Sequence, residues 1–200
     1  MENANPGRPE GEEGRKMLER MNRSHAYLRA FGLPLLPAGN SMRILDVGCG
    51  GGATIRDLLE RIPESRIDGI DYSGESVALS RELNQKDLGT RVEIKEGSVD
   101  SLPYADGTFD LVTAVETVYF WKNPGKAFSE IARVLKQGGT FAILSEASDP
   151  LLHTDWPDPE GLITIYRPGE LRTLYAHAGF ADVKEYRGPG DSILMLGTRS

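Results

Sequence analysis

A glycine-rich segment in the first half of the chain has the composition of a ligand-binding loop. Residues 44–54 read Ile-Leu-Asp-Val-Gly-Cys-Gly-Gly-Gly-Ala-Thr, an apolar run that leads into the loop. Glycines let a backbone approach a ligand closely, and the free N–H groups where such a loop opens a helix favour negative or electron-rich atoms. The spacing of Gly48, Gly50 and Ala53 also fits the pattern G-x-G-x-x-G/A of dinucleotide sites. The loop therefore predicts a nucleoside-type ligand without selecting one.

Two aspartates narrow the choice of ligand. Asp71 ends the next apolar run, where a carboxylate can accept hydrogen bonds from both hydroxyls of a ribose. Asp46 lies two residues before the first glycine, and its charge would repel a pyrophosphate but suits a ligand with a sulfonium and an ammonium group. The pair favours S-adenosylmethionine over NAD. A small NAD-dependent oxidoreductase remains an alternative, although the chain has no evident Tyr-x-x-x-Lys pair, and so does a noncatalytic module that binds S-adenosylmethionine.

Alternating strand and helix patterns must position these residues. From residue 42 onward, short aliphatic runs alternate with helical stripes, which is typical of a parallel sheet with helices on both faces. We predict an α/β fold with a doubly wound, seven-stranded, mostly parallel sheet of the Rossmann-like type. The predicted strands are residues 43–47, 66–70, 91–95, 109–115, 140–144, 183–187 and 192–197.

The rest of the chain is predicted to add a tail and two covering segments. Residues 1–14, rich in Pro, Gly, Glu and Asn, are predicted to be a disordered tail, and residues 15–200 a single domain. An amphipathic helix is expected over residues 12–31. The segment 146–168 holds four prolines and is longer than an ordinary connection, as functional lids often are. Gly138, with the glycine after it, is predicted to end the helix before it in a left-handed conformation with positive φ, and Gly179 is predicted to end its helix in the same way.

Composition and charge exclude several classes of protein. The chain has 23 Lys and Arg against 30 Asp and Glu, and the resulting net charge of -7 has the wrong sign for a nucleic-acid partner. A single cysteine favours a reducing compartment. The apolar runs are too short to span a membrane, and the first residues lack the apolar core of a signal peptide. We expect a cytoplasmic protein, monomeric or homodimeric, that acts on a small molecule and has no nucleic-acid or membrane partner.

Five consecutive motifs resemble the class I, type 11 S-adenosylmethionine-dependent methyltransferases. In chain order they are residues 44–54, 69–73 (Gly-Ile-Asp-Tyr-Ser), 97–104, 109–112 and 131–139 (Ile-Ala-Arg-Val-Leu-Lys-Gln-Gly-Gly). The resemblance covers roughly residues 42–145, and residues 178–180 agree near the end. It implies transfer of the methyl group of S-adenosylmethionine to a small-molecule nucleophile by in-line displacement.

The resemblance also implies a set of cofactor-binding residues after the first three strands. Those expected around the methionine part are Asp46, Gly48, Gly50 and Gly52. Those expected around the adenosine part are Asp71 at the ribose, Tyr72 against the adenine, and Ser98 with Val99 at the adenine edge.

The methyl acceptor is expected beside the segment that follows the fourth strand. Residues 116–121 (Glu-Thr-Val-Tyr-Phe-Trp) leave that strand at its carboxyl end, where ligands bind in open α/β sheets. Glu116 and Tyr119 are therefore site candidates, although aromatic residues there could equally be core packing. His25 lies in a segment that resembles the cofactor cover of a bacterial and archaeal subgroup, but a histidine on an apolar stripe is also a common packing residue.

The expected chemistry depends on the acceptor. If the acceptor is a phenol or another hydroxyl, His25 or Glu116 could take its proton, whereas an amine or a thiolate could react without a dedicated base. Tyr27 and Trp156, one on each covering segment, suit an apolar acceptor with one polar handle. The sequence predicts no metal site, because no pair of histidines or carboxylates has metal-ligand spacing.

Overall fold

The computed structural model describes residues 5–156 and 161–200, and its centre is a seven-stranded sheet. The strands are β1 (Arg43–Val47), β2 (Arg66–Asp71), β3 (Val92–Glu96), β4 (Phe109–Val115), β5 (Leu135–Ser145), β6 (Phe180–Arg187) and β7 (Ile193–Arg199). Their order in the sheet is β3-β2-β1-β4-β5-β7-β6, and β7 runs antiparallel to both of its neighbours. The predicted seven-stranded, mostly parallel sheet is confirmed.

Helices cover both faces of this sheet. They are α1 (Gly11–Ser24), α2 (Ala26–Gly32), α3 (Ala53–Arg61), α4 (Gly74–Leu83), α5 (Pro124–Val134) and α6 (Pro168–His177), with short 3-10 turns at Leu33–Leu35, Val118–Phe120 and Pro150–Leu152. Side chains of α5 and α6 pack on one face and those of α2, α3 and α4 on the other. No helix within the described ranges is both long and apolar enough to cross a bilayer.

The central strands are buried on both faces because helices cover both sides of the sheet. Successive side chains of a strand point to opposite sides and therefore pack against different helices. In β1, Ile44 packs with the α2–α3 side and Leu45 with the α5–α6 side, and in β4 Leu111 and Val112 do the same. Strands buried in this way read as continuous apolar runs in the sequence. The strand order reverses between β1 and β4, which is where ligands bind outside the carboxyl ends of such a sheet.

The chain before β1 differs from the predicted tail and single helix. Within the described part, α1 already begins at Gly11, Pro9 is buried, and the Ser73 hydroxyl donates a 2.6 Å hydrogen bond to the Pro9 carbonyl. The structure thus has helix from Gly11 and a buried Pro9 where the sequence predicts a disordered tail, and residues 1–4 lie outside the described range. The predicted long helix is two helices, because the backbone leaves helical geometry at His25.

Gly138 also differs from its prediction. It has the expected positive φ of 75°, but α5 ends at Val134 and Gly138 lies inside β5. The pairing of β5 with β4 shifts register between Leu135 and Thr140, so the glycine belongs to a bulge that takes up the extra residues. Gly179, in contrast, has φ 84° directly after α6 and ends that helix as predicted.

Candidate functional site

A cavity of ≈ 480 Å³ opens at the carboxyl ends of β1, β2 and β4. Its size is in the range of small-molecule and cofactor sites. Most of the residues predicted to bind a cofactor line it, namely Gly48, Gly50, Asp71, Tyr72, Ser98 and Val99. Glu116, from the end of β4, lines the same cavity.

The loop after β1 needs glycine for two physical reasons. Gly48 and Gly50 have φ values of 67° and 49°, in the left-handed region that side chains disfavour. A Cβ on Gly48 would also lie 2.2 Å from the Thr117 hydroxyl oxygen. The loop is held by hydrogen bonds from the N–H of Gly48 to the Ile70 carbonyl (2.8 Å) and from the N–H of Gly50 to Asp71 (2.9 Å).

Asp71 is fixed by the backbone of two elements. Its Oδ2 accepts from the N–H of Gly50 and its Oδ1 from the N–H of Ser73, each at 2.9 Å. Each carboxylate oxygen keeps a second lone pair, so the group can still accept the two hydroxyls of a ribose. Burial raises the pKa of Asp71, and the backbone hydrogen bonds oppose that shift.

Two of the predicted cofactor residues lie behind the cavity wall. Asp46 is 1% exposed and accepts a 2.7 Å hydrogen bond from the Thr113 hydroxyl, so its charge would act through the protein rather than by contact. Burial raises the pKa of Asp46 to about 7. Gly52 packs on α4, where a Cβ would come within 2.4 Å of the Ser80 hydroxyl oxygen and 2.6 Å of the Asn84 amide nitrogen. Neither residue lines the cavity, so a direct contact of either one with a cofactor stays a prediction.

Three ionisable side chains meet beside the cavity, and we call His25, Glu116 and Glu146 the carboxylate–histidine cluster. His25 Nε2 lies 3.8 Å from Glu116 Oε2 and 3.8 Å from Glu146 Oε1. Glu116 accepts from the Tyr119 hydroxyl (2.9 Å) and from the N–H of Glu146 (2.6 Å), and the Tyr27 hydroxyl donates to Glu146 (3.1 Å). The structure thus brings together the two predicted catalytic residues and two of the predicted substrate-binding tyrosines.

The cluster is shielded from water to different degrees. Glu116 is buried, and both its burial and the nearby Glu146 raise its pKa to about 8. Burial lowers the pKa of His25. Glu116 also has φ 57°, an uncommon conformation for a residue other than glycine. The residue is therefore held in place by its surroundings, and its side chain is directed into the cluster.

The predicted lid segment contributes aromatic and backbone contacts in the part that the structure describes. The ring centroids of Trp156 and Tyr119 are 5.6 Å apart in an edge-to-face arrangement. The N–H of Thr164 donates to the Tyr119 carbonyl (2.8 Å), and Leu162 lines the cavity. Residues 157–160 of this segment lie outside the described ranges. The Nε2 atom of His153 forms a hydrogen bond with Asp191 Oδ2 (3.1 Å).

Sequence reasoning missed two parts of the site. Glu146 follows β5 directly, and β5 neighbours β4, so the sheet order would have pointed to it had that order been known. Residues 5–9 also line the cavity, although their composition is that of a tail. The helix predicted to cover the cofactor lies beside the cavity, because Leu18 and Met21 of α1 line it and the Asn22 amide donates to the Gly51 carbonyl (3.0 Å).

In sequence, the chain is similar to methyltransferases. The model of a methyltransferase domain matches residues 45–143. The chain is 32% identical over 112 residues to the uncharacterized methyltransferase YcgJ of Bacillus subtilis (strain 168), covering 55% of this chain and 44% of that protein. It is 28% identical over 152 residues to 2-methyl-6-phytyl-1,4-hydroquinone methyltransferase 2, chloroplastic, of Oryza sativa subsp. japonica, covering 74% and 42%. The chain spans less than half the length of these two relatives.

Solved structures share the fold over nearly the whole chain. A chain of the complex between the Haloferax volcanii Trm112 methyltransferase activator and its methyltransferase superposes with a TM-score of 0.80 at 23% identity, covering 92% of this chain and 93% of that one. An S-adenosylmethionine-dependent methyltransferase from Aquifex aeolicus gives 0.79 at 20% identity, covering 93% and 98%. The matched domain, the relatives and the shared fold identify the chain as a member of the class I S-adenosylmethionine-dependent methyltransferases, as its motifs predict.

Proposed function

We propose that the chain transfers the methyl group of S-adenosylmethionine to a small-molecule nucleophile. The observation that carries the proposal is a single cavity whose wall includes both the glycine loop with Asp71 and the buried Glu116. The family uses S-adenosylmethionine as its methyl donor, and the name of the rice relative describes a small hydroquinone acceptor.

The donor is assigned to the side of the cavity formed by the ends of β1, β2 and β3. Asp71 binds the ribose hydroxyls, Tyr72 lies against the adenine, and Ser98 with Val99 borders the adenine edge. The loop backbone at Gly48 and Gly50 surrounds the methionine part. Asp46 and Gly52 support this arrangement from behind the wall, Asp46 by its negative charge and Gly52 by its close packing on α4.

The acceptor is assigned to the side formed by the end of β4 and the two covering segments. Tyr119 and Trp156 provide aromatic surface, while Tyr27 and Glu116 provide polar groups. Such a surface suits an apolar molecule with one polar handle.

The reaction is an in-line displacement at the methyl carbon. A lone pair of the acceptor forms the new bond as the carbon–sulfur bond breaks, and the electron pair of that bond stays on sulfur as S-adenosylhomocysteine. Holding the reacting atoms about 3 to 3.5 Å apart and in line can lower the activation barrier by up to ~7 to 11 kcal/mol. If the acceptor is a hydroxyl, Glu116 or His25 takes its proton, whereas an amine or a thiolate reacts without a base.

Isothermal titration followed by a turnover assay tests this function. The protein should bind S-adenosylmethionine and S-adenosylhomocysteine but neither NAD nor NADP, and with an isotopically labelled methyl donor it should transfer the label to a small molecule identified by mass spectrometry. NAD binding would instead favour an oxidoreductase. Donor binding without any labelled product from pools of small molecules would favour a noncatalytic binding module.

The Asp71→Ala variant is the matched test of the donor site. Losing a charged acceptor of two ribose hydroxyls should cost ~1.5 to 3 kcal/mol, a tenfold to hundredfold or greater loss of donor affinity. Because Asp71 also holds the N–H groups of Gly50 and Ser73, the melting temperature of the variant should be measured in parallel. An unchanged dissociation constant would place the ribose elsewhere.

We also propose that the protein acts in the cytoplasm as a monomer or homodimer, without a nucleic-acid or membrane partner. The net charge of -7 and the single cysteine support this assignment. Light scattering coupled to size-exclusion chromatography measures the oligomeric state, and a shift of DNA or RNA mobility by the protein would contradict the assignment.

A further inference from the structure

The carboxylate–histidine cluster has a feature that hydrogen bonding does not explain. The ligand-capable atoms of His25, Glu116 and Glu146 all lie within 4.8 Å of one another, and the histidine nitrogen is 3.8 Å from each carboxylate. A distance of 3.8 Å is too long for a hydrogen bond. The three groups therefore face a common point that none of them fills.

The size of that space matches a metal ion. Three atoms spaced 3.8 Å apart lie about 2.2 Å from their common centre, and widening one side to 4.8 Å moves the centre to about 2.5 Å. Zinc binds imidazole nitrogen at about 2.0 to 2.1 Å and carboxylate oxygen at about 2.0 to 2.2 Å. A shift of a few tenths of an ångström would bring the three atoms to bonding distance.

Neighbouring groups already orient the ligands. The Tyr119 hydroxyl and the N–H of Glu146 donate hydrogen bonds to the two oxygens of Glu116. The Tyr27 hydroxyl donates to Glu146 Oε2, so Glu146 Oε1 is the oxygen nearer to His25. Partners of this kind are typical of metal sites, where they fix the orientation of the ligating side chains. The positive φ of Glu116 is a local strain that surrounding structure must maintain, and such strain clusters at functional sites.

A cation is also what would allow both carboxyl groups of the cluster to be ionised together. Two carboxylates lie side by side with 4% and 28% of their side chains exposed, and among residues 5–156 and 161–200 their only ion-pair partner is His25. Buried charges are normally paired or coordinate metals. A bound cation would neutralise both carboxylates, and neutral His25 would then serve as a nitrogen ligand.

We propose that His25, Glu116 and Glu146 bind one divalent transition-metal ion at the wall of the cavity. One imidazole and two carboxylates suit the class of Zn²⁺, Mn²⁺ and Fe²⁺, because Mg²⁺ and Ca²⁺ prefer oxygen ligands alone. Three protein ligands leave a coordination position open, as in catalytic sites. Glu116 lines the cavity, so that position is accessible to a small molecule there.

The role of the ion rests on the proposed function, whereas its binding does not. With the ion bound, His25 and Glu116 would be ligands in place of the base role proposed for the metal-free site. An acceptor hydroxyl or thiol bound at the open position would then lose its proton to solvent at a lower pH than when free. The resulting oxygen or sulfur anion would form the bond to the methyl carbon, and S-adenosylhomocysteine would leave with the electron pair of the broken bond.

Titration of the metal-free full chain tests the site without any turnover assay. After treatment with a chelator, the wild type should bind one equivalent of Zn²⁺ by calorimetry, and one equivalent of Co²⁺ should give the visible absorption bands of an ion with a nitrogen ligand. The Glu146→Gln variant should bind Zn²⁺ at least tenfold more weakly, and Tyr27→Phe, which loses only an outer hydrogen bond, about tenfold to hundredfold more weakly.

His153→Asn is the matched control, because that histidine also contacts a carboxylate, Asp191, but belongs to no group of three such ligands within residues 5–156 and 161–200. It should bind Zn²⁺ as the wild type does. Melting temperatures and S-adenosylhomocysteine affinity, measured for every variant, show that each is folded. Absence of stoichiometric binding in the wild type, or equal Zn²⁺ affinity in Glu146→Gln and the wild type, would overturn the proposal. Metal binding without donor binding would instead leave this site in place and contradict the proposed function.

Discussion

Buried carboxyl groups dominate the site at the scale of single residues. Asp46, Asp71 and Glu116 are each less than a tenth exposed, and burial raises the pKa of all three. Burying a carboxylate costs free energy unless it is hydrogen-bonded or faces a positive charge. The donor carries a sulfonium and an ammonium group. Binding of this positively charged ligand can therefore offset part of the free-energy cost of burying these carboxylates, a cost that the ligand-free protein carries in full.

Asp46 gives a pH-dependent prediction. Its pKa is about 7 in the folded chain against an ordinary value of 3.8, so the folded state holds the proton more tightly than the unfolded state. The contribution of Asp46 to the free energy of unfolding is therefore greatest below pH 4 and declines as the pH rises to about 7. An Asp46→Asn variant removes this decline while keeping an acceptor for the Thr113 hydroxyl.

The measurement is the melting temperature of both proteins at pH 5 and pH 8 without ligand. The melting temperature of Asp46→Asn minus that of the wild type should be larger at pH 8 than at pH 5. The expected increase in this difference is at least ~2 to 4 °C, which corresponds to roughly 1 kcal/mol for a chain of this size. The variant should also bind the cationic donor more weakly at pH 8. A difference that does not change with pH would show that Asp46 is already ionised at pH 5.

At the scale of elements, the glycine loop is the least tolerant segment. Gly48→Ala would place a Cβ 2.2 Å from the Thr117 hydroxyl oxygen on a backbone with φ 67°. Either the loop or the turn after β4 must then move, so we expect donor binding to fall by at least tenfold, with a stability loss of ~1 to 3 kcal/mol. Calorimetry and thermal denaturation measure the two effects.

Gly125→Ala is the control for that substitution. Gly125 lies in the first turn of α5, its φ is not positive, and a Cβ there meets nothing within 4 Å. Alanine should leave donor affinity unchanged and raise stability by up to ~0.5 to 1 kcal/mol, since glycine is a poor helix residue. If Gly48→Ala behaved like Gly125→Ala, the close approach of the loop to Thr117 would be irrelevant to binding.

The segment before α1 gives a second prediction at this scale. Residues 5–9 line the cavity, Pro9 accepts from Ser73, and Arg8 lies over the ring of Tyr72 with 5.8 Å between the guanidinium carbon and the ring centroid. Removing residues 1–9 should open the adenine side of the cavity and weaken donor binding about threefold to tenfold, equivalent to one hydrogen bond or a little more. Calorimetry on the truncated chain checks this, and full affinity would show the segment to be a passive tail.

At the scale of the whole molecule, the reversal of strand order places the donor loop and Glu116 side by side. The β1 and β4 strands are neighbours, although their residues are far apart in the chain, and Ile44 pairs with Leu111. The helices on the two faces bury these strands, so the site stands at the end of a rigid core. Loops positioned by such a core are where binding residues commonly occur.

Ligand binding should therefore stabilise the entire domain. A ligand that binds only the folded state at one hundred times its dissociation constant adds about 2.7 kcal/mol, and each kcal/mol raises the melting temperature of a chain of this length by about 2 to 4 °C. We expect S-adenosylhomocysteine to raise the melting temperature by ~5 to 10 °C and NAD to leave it unchanged. A comparable increase with NAD would contradict the choice of donor.

The sequence by itself determined the fold class, the approximate strand positions, and the glycine loop and Asp71 that we propose contact the donor. Strands such as Phe109–Val115 are mostly apolar, the glycine loop directly follows β1, and Asp71 is the last residue of β2. These signals are local, because side-chain periodicity and backbone conformation depend on neighbouring residues. Gly138 shows the limit of this reasoning, since its positive φ was predicted but pairing between distant strands decided that it forms a bulge.

Only the tertiary structure decided what surrounds the side of the cavity that we propose for the acceptor. His25, Glu116 and Glu146 come from α1's end, the end of β4 and the end of β5, and no spacing along the chain indicates that they meet. The same holds for Pro9, which is buried and accepts a hydrogen bond from Ser73, a residue far from it in the chain. The physical reason is that contacts between segments far apart in sequence follow from sheet order and packing, which a local pattern does not contain.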